Sequence, residues 1–212
     1  MPKQRTSSRP YARRGPVREP YDTVLIVCEG EKTEPNYFAG LRRHHDLSSL
    51  NVAILAARRS DPLAIVHFAE QKANLESYNR IYCVFDLDRL ANVDRALKKI
   101  ATLDAGGSGR WYAVTSMPCF EIWVLLHFKY TSSPYSSAGG RSACDNVVAH
   151  VRQHLPNYAK GDQTVYDQIK DRTGNAVTNA ERLAVHNSGA GSHNPATRVH
   201  ELVDYLCKLR PD

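Results

Sequence analysis

The stretch of sequence that decides the fold covers residues 23–34 and consists of TVLIVCEGEKTE. Its first half is short, apolar and rich in β-branched residues, which is typical of a strand buried inside a sheet. The strand ends abruptly at Glu29, and Gly30 allows the backbone to turn sharply there. Thr33 then has the chemistry of a helix N-cap, with Pro35 in the first turn. The stretch therefore predicts a buried strand, a tight turn and a helix, with a carboxylate at the carboxyl end of the strand.

A second apolar run, at residues 81–85, ends in the acidic pair Asp86 and Asp88. Ligands of open α/β sheets bind outside the carboxyl ends of the strands. Because residues two apart on a strand point to the same face, we expect both aspartates to aim at one point. Carboxylate oxygens are the ligands that Mg²⁺ prefers. We therefore interpret Glu29, Asp86 and Asp88 as one acidic site that binds Mg²⁺ or Mn²⁺.

The N-terminal part of the chain alternates between strand and helix patterns. Strands are predicted at residues 23–28, 50–56, 81–85 and 111–115, and helices at about 35–45, 62–75, 92–103 and from 118 onward. This alternation implies right-handed βαβ units. The predicted fold class is α/β, a Rossmann-like, mostly parallel four-stranded sheet flanked by helices. In the strand order 2-1-3-4, Glu29 would face Asp86 across a topological switch point.

The two ends of the chain differ from this region. Residues 1–20 contain six basic residues and one acidic residue, so they carry +5 of the net charge of +6. They predict a disordered basic arm, which either contacts phosphates or is a solvated tail. Residues 21–129 are predicted to form the α/β domain, and residues 130–212 a Ser- and Gly-rich loop and a helical extension packed on that domain. Helices of the extension are predicted at about 144–154, 163–173, 175–186 and 195–209.

The sequence argues against a membrane-spanning protein and against a secreted one. No apolar run approaches the length of a membrane span, and the N-terminal residues lack the apolar segment of a secretory signal. The five cysteines are scattered, with no CxxC or Cys/His zinc spacing. We expect them to be reduced, packed as small apolar groups, in a cytoplasmic protein.

Five other residues near the acids or on the fourth predicted helix could belong to the functional site. Glu121 stands near the predicted start of that helix and could complete the site, or it could be an acid favoured by the helix macrodipole. Glu34 has the same two interpretations. Lys32 and Arg89 adjoin the acids and could hold a phosphate group or balance charge. His127 falls among apolar residues and is interpreted as a core histidine.

Two similar motifs are dismissed. The segment at residues 30–33, GEKT, looks like the end of a phosphate-binding P-loop, but it lacks the upstream glycine and the glycine before the lysine. The Asp-x-Asp pair resembles the motif of haloacid-dehalogenase-type phosphatases. However, Leu90 stands where that family has Thr or Val, and the pair follows the third strand rather than the first.

Four segments together resemble the RloB-like family, and the resemblance spans about residues 23–208. They are LIVCEGEKTEP at 25–35, FDLD at 85–88, PCFEIWVLLHF at 118–128 and NPATRVH at 194–200. The family is similar to Toprim domains, the fold shared by topoisomerases, DnaG-type primases and OLD-family nucleases. The resemblance implies an antiphage, abortive-infection role beside an ABC-type ATPase partner, with DNA, tRNA or another RNA as substrate.

The resemblance also implies roles for individual residues. In Toprim proteins the first-strand Glu acts in acid–base chemistry or binds metal, and the Asp-x-Asp pair binds Mg²⁺, which corresponds to Glu29, Asp86 and Asp88. OLD-like sequences often place a second acid four residues after the first, where Thr33 stands here, and Glu34 follows one residue later. The expected function is a Mg²⁺-dependent nuclease. The alternatives are a non-catalytic nucleic-acid-binding or regulatory subunit, and a phosphatase or synthetase acting on small phosphates.

Overall fold

The computed structural model describes residues 22–49, 51–88, 91–107 and 109–209. The predicted arm at residues 1–20 and the candidate Arg89 lie outside the described residues. The strands are β1 (Val24–Cys28), β2 (Val52–Ala56), β3 (Arg80–Asp86), β4 (Arg110–Met117) and β5 (Ala196–Thr197). The helices are α1 (Thr33–His44), α2 (Pro62–Ala73), α3 (Val93–Ala105), α4 (Glu121–Leu126), α5 (Ala143–Arg152), α6 (Val165–Ile169), α7 (Thr173–Ala190) and α8 (Val199–Lys208), with a 3₁₀ turn at Lys170–Arg172.

The sheet is open and mostly parallel. Its strand order is β2-β1-β3-β4-β5. The first four strands are parallel to their neighbours, and β5 is antiparallel to β4. The predicted α/β class and the order of the first four strands are confirmed, but the sheet has five strands rather than four. The fifth strand has only two residues, which is too short for any alternation to appear in the sequence.

The sheet separates two apolar cores, because successive strand residues point to opposite faces. On β1, Ile26 joins the core under α1 and α4–α8, whereas Val27 joins the core under α2 and α3. The connection through α1 therefore lies on one face, and those through α2 and α3 lie on the other. Because this change of face occurs between β1 and β3, a crevice opens at their carboxyl ends.

Several predicted helix boundaries and buried positions are wrong. Helix α4 begins at Glu121 rather than near residue 118, because β4 continues to Met117. The last helix begins at Val199, since the residues before it are recruited into β5. The helical spacing of apolar residues also predicts Leu75 and Leu97 on the inner faces of the second and third helices, but they are 77% and 39% exposed.

The remaining boundaries of the extension also differ. The helix predicted at 163–173 shortens to α6 followed by the 3₁₀ turn, and α7 continues to Ala190, into a segment predicted as loop. No helix among the described residues has the length and apolar character needed to cross a membrane.

The expectation that all cysteines are reduced is wrong for one pair. Cys119 and Cys144 form a disulfide that joins the segment before α4 to the first turn of α5. Cys28 and Cys83 are free and buried in β1 and β3, as predicted, and Cys207 is free and half-buried. The disulfide could not be predicted from spacing, since its 25-residue separation matches no motif and depends on the packing of the two helices.

Candidate functional site

The candidate site is a cavity of about 390 Å³ at the carboxyl ends of β1 and β3. Five carboxylates line it. Four come from the ends of two strands and the first turns of two helices: Glu29, Glu34, Asp86 and Glu121. The fifth, Glu31, is exposed in the turn before α1. Two ammonium groups line it as well, those of Lys32 and Lys160. The switch point predicted from strand order is therefore an acidic crevice with lysines in its wall.

Glu29 and Asp86 meet across this crevice. The backbone N–H of Glu29 donates to the carbonyl of Val84 at 2.9 Å, which continues the β1–β3 ladder by one residue. Its carboxylate Oε2 then accepts a hydrogen bond from the backbone N–H of Asp86 at 3.0 Å. The side chain that ends β1 thus bonds the backbone that ends β3, and the structure brings these two predicted residues together.

Glu34 folds back over the turn that precedes α1. Its side chain is buried, and a Cβ atom added to Gly30 would clash with the Glu34 carboxylate. Gly30 is therefore needed for close approach. The prediction of Thr33 as N-cap is wrong, because Lys32 occupies that position and Thr33 is the first helical residue. The Thr33 hydroxyl instead accepts a hydrogen bond from the backbone N–H of Gly161 at 3.0 Å.

Glu121 occupies the first turn of α4 and is 2% exposed. Its Oε1 accepts a hydrogen bond from the Tyr158 hydroxyl at 3.3 Å and lies 3.5 Å from Lys160 Nζ. A carboxylate with so little exposure needs such partners, because burial of an unpaired charge is strongly unfavourable. The predicted acid is thus held by two residues of the C-terminal half.

The cavity concentrates negative charge. Burial, together with the negative charges of Glu121 and Glu29, raises the pKa of Glu34 to about 7. Burial first, and then the charges of Glu34, Glu121, Glu29 and Asp88, raises the pKa of Asp86 well above its ordinary value. Burial and the neighbouring acids thus favour proton uptake by these two carboxylates, and the neighbouring negative charges also attract a cation.

Asp88 is placed differently from the prediction. It is exposed and lies outside the residues that line the cavity. Strand β3 ends at Asp86, so the alternation that would bring both side chains to one face stops before Asp88. Its charge nevertheless raises the pKa of Asp86. Asp88 therefore lies outside the lining of the acidic cavity, close enough for its charge to affect Asp86.

Sequence reasoning missed the segment between α5 and α6. Gly161 has φ +82°, and its carbonyl accepts a hydrogen bond from Asn36 Nδ2 at 2.8 Å. With its N–H bonded to Thr33, this glycine docks on the first turn of α1 and places Lys160 beside Glu121. The only local signal was a glycine next to a lysine, which matches no known motif.

His127 is a core histidine, as predicted. It is 1% exposed, and its Nδ1 lies 2.9 Å from the carbonyl of Trp123. Burial lowers the pKa of His127 to about 4, so the ring is neutral at physiological pH. It lies outside the residues that line the acidic cavity.

The chain matches the family model described as RloB-like protein over residues 24–206. It belongs to the RloB-like family. The match includes all five cavity carboxylates and Lys160, so the site lies inside the part of this RloB-like chain that the family model covers. Comparison with curated proteins and with solved structures finds no match.

The residues present fit Mg²⁺ or Mn²⁺. The donors are hard carboxylate oxygens. Burial is the main cause of the raised pKa values of Glu34 and Asp86, and the negative charges of neighbouring acids add to it. No three of the cavity carboxylates have oxygens that all lie within 4.8 Å of one another. Such spacing suits an ion that keeps several waters and takes only one or two carboxylates, which is the habit of Mg²⁺.

A second group of possible ligand atoms is chemically unsuitable. One ligand atom each from Cys119, Glu121 and Cys144 lie within 4.8 Å of one another. The two sulfurs are bonded to each other, so neither is a thiolate. The carboxylates of the cavity therefore remain the better metal ligands.

Proposed function

We propose that this RloB-like protein is a Mg²⁺-dependent, Toprim-type nuclease that cleaves phosphodiester bonds of DNA or RNA. The observation that carries the proposal is the convergence of Glu29, Glu34, Asp86 and Glu121 on one cavity at the switch point of the sheet. Cleavage of a phosphodiester needs compensation of charge on the attacking and leaving oxygens. One or two bound Mg²⁺ ions would supply that compensation.

The charged residues of the site have the following proposed roles. Glu29 and Asp86 are the principal metal ligands, and Glu29 would also act as a general base. Glu34 is available to a second ion, and Asp88, outside the cavity lining, acts through its charge on Asp86. Glu34 has a pKa of about 7 in the absence of metal, so it can exchange a proton with substrate or water near neutral pH. Lys32 and Lys160 are suited to binding a substrate phosphate, and Glu121 positions Lys160.

The proposed biological setting follows from family membership together with the Toprim-like pattern of acids. The protein would be the effector of an antiphage defence system and would act beside an ABC-type ATPase partner. In that setting the partner controls access to nucleic acid. Activity is therefore best assayed with the partner present, whereas metal binding is expected of the isolated chain.

The first test is calorimetric titration of the isolated protein with MnCl₂ and MgCl₂. We expect binding by the wild type and loss of the binding heat in Asp86→Asn, with circular dichroism unchanged. Asp94→Asn is the matched control, because Asp94 is an exposed acid in the first turn of α3. Equal binding by the wild type and Asp86→Asn would contradict the proposed metal site.

The second test measures cleavage. Labelled single-stranded DNA, duplex DNA and tRNA are incubated with the protein and its ATPase partner in MgCl₂ or EDTA. We expect product only with metal and only with an intact Asp86. Cleavage in EDTA would contradict the metal-dependent mechanism.

One observation favours the alternative of a non-catalytic regulatory subunit. Lys160 Nζ lies 3.5 Å from Glu121, so the cavity already contains a cation of its own. A protein whose acids only hold this lysine would bind no metal, and Asp86→Asn would then leave partner binding and nucleic-acid binding intact. The calorimetric titration distinguishes the two functions.

A further inference from the structure

A second surface feature begins where the acidic cavity ends. Lys160 lines both the acidic cavity and a neighbouring cavity of about 600 Å³, which Arg141 and Arg152 also line. Arg141 in turn lines a third cavity of about 530 Å³, together with Lys129 and His150. The three cavities are therefore neighbours, and each shares a basic side chain with the next. The second and third lie on the two sides of α5.

The surface around α5 is positively charged. Its two cavities are lined by Lys129, Arg141, Arg152 and Lys160, all exposed, and by a single acid, Asp145. Asp145 is engaged within its own helix, since its carboxylate accepts hydrogen bonds from the backbone and the hydroxyl of Ser142 in a capping box. These hydrogen bonds lower the pKa of Asp145. The surface thus keeps a net positive charge around the helix.

The basic groups are available to a ligand. Among the described residues, no carboxylate lies within 4.0 Å of the charged nitrogens of Lys129, Arg141 or Arg152. Arg152 Nε donates to the carbonyl of Tyr158 at 3.0 Å, which orients its guanidinium. This bond also joins α5 to the segment that carries Lys160. Arg152 and the segment that carries Lys160 are therefore held together on one surface.

We propose that the α5 surface, defined by Lys129, Arg141, Arg152 and Lys160, binds the phosphate backbone of a nucleic-acid strand and leads it into the acidic cavity. Helix α5 has 10 residues and is about 15 Å long, enough for contact with several consecutive phosphates. An acidic cavity alone repels a polyanion, so a substrate strand needs basic groups next to it. The proposal rests on the proposed function only in placing one phosphate of the strand in the cavity.

The test measures binding without cleavage. The full-length protein in EDTA is titrated into a fluorescein-labelled single-stranded DNA of about 12 nucleotides, and anisotropy is followed from about 50 to 200 mM KCl. The variant Lys129→Gln/Arg141→Gln is compared with the wild type. We expect about tenfold weaker binding at the middle of this range and a salt slope reduced by about 1.4, because each lost phosphate contact on a single strand contributes about 0.7.

Arg95→Gln/Lys98→Gln is the matched control. It also removes one arginine and one lysine charge, but from the exposed surface of α3 on the opposite side of the sheet. We therefore expect little change in affinity for the DNA. Residues 1–20 are the same in all variants, and their contribution cancels in the comparison. Equal losses in the two double variants, or no binding by the wild type, would overturn the proposal. The Lys129→Gln/Arg141→Gln protein should keep wild-type Mn²⁺ binding, which separates failure of this proposal from failure of the metal site.

Discussion

The carboxylate of Glu29 accepts a hydrogen bond from the backbone N–H of Asp86 at 3.0 Å. One acid of the cavity therefore also holds the end of the strand that supplies the other acid. The charge of Glu29 and its hydrogen bond can be separated by substitution, because a glutamine keeps an acceptor oxygen and removes the charge.

We predict different results for two substitutions of Glu29. Glu29→Gln should keep the bond to Asp86 and change the free energy of unfolding little, while weakening Mn²⁺ binding at least tenfold. Glu29→Ala should weaken Mn²⁺ binding as much and also lower the free energy of unfolding by about 1 kcal/mol or more, since the Asp86 N–H loses its acceptor. Urea denaturation and calorimetry measure the two effects. Unchanged Mn²⁺ affinity in Glu29→Gln would exclude Glu29 as a ligand.

The second prediction concerns the dependence of stability on pH. Folding raises the pKa of Glu34 from 4.5 to about 7, so its carboxylate binds protons more tightly in the native state. The contribution of Glu34 to the free energy of unfolding is fully present below pH 4.5 and is lost as the pH rises through 7. We therefore compare the free energies of unfolding of Glu34→Gln and the wild type in metal-free buffer. The difference should shift by about 3 kcal/mol in favour of the variant between pH values below 4.5 and above 7.

The difference between variants is needed because another buried group acts in the opposite direction. The pKa of His127 falls from 6.5 to about 4 on folding, so its contribution to stability increases with pH over that range. Subtracting the wild-type curve from the Glu34→Gln curve removes this contribution. Asp94→Asn, at an exposed acid of α3, is the matched control. A flat difference for Glu34→Gln would show that Glu34 is not perturbed.

The third prediction concerns the disulfide between Cys119 and Cys144. Closing a loop of 25 residues should stabilise the protein by about 3 kcal/mol, chiefly by restricting the unfolded chain. Cys144→Ser, or the wild type in dithiothreitol, should show this loss in urea denaturation, whereas Cys207→Ser should not. In denaturant without reductant, iodoacetamide should modify three of the five cysteines. Modification of all five would contradict the disulfide.

The fourth prediction concerns the docking of Gly161 on α1. Its φ of +82° is unfavourable for other residues, and an added Cβ would lie 2.9 Å from the Cβ of Lys32. Gly161→Ala should therefore lower the free energy of unfolding by about 2 kcal/mol or more and displace Lys160 from Glu121. Gly139→Ala is the control, since Gly139 also has a positive φ, of +60°, but has open space around it. Equal losses in the two variants would show that the contact with α1 contributes nothing.

Local patterns were sufficient to predict the framework of the site. The apolar runs of β1 and β3, with helices between the strands, predicted the α/β class, and for the strand order 2-1-3-4 they placed Glu29 opposite Asp86. Glu34 and Glu121 could be named as candidates because they occupy first turns of helices that follow strand ends. The location of the acidic cavity therefore followed from periodicity and from the rule that ligands bind at the carboxyl ends of strands.

The rest depends on contacts between distant segments. Thr33 and Gly161 are 128 residues apart, and the hydroxyl that suggested an N-cap is used for that long-range bond instead. Lys160 belongs to no motif and reaches Glu121 only because Gly161 docks where it does. The position of Asp88 was mispredicted for a simpler reason. Strand β3 stops two residues earlier, and the alternation of side chains stops with it.

The separation of Lys160 from the acids along the chain has a consequence for the time at which the cavity is completed. The chain is synthesised from the N-terminus, so all five cavity carboxylates are made before Lys160. A chain made only as far as α5 contains these acids but lacks Tyr158 and Lys160, the two residues that pair with Glu121 Oε1. The buried carboxylate of Glu121 therefore gains these partners only after the rest of the acidic cavity has been synthesised.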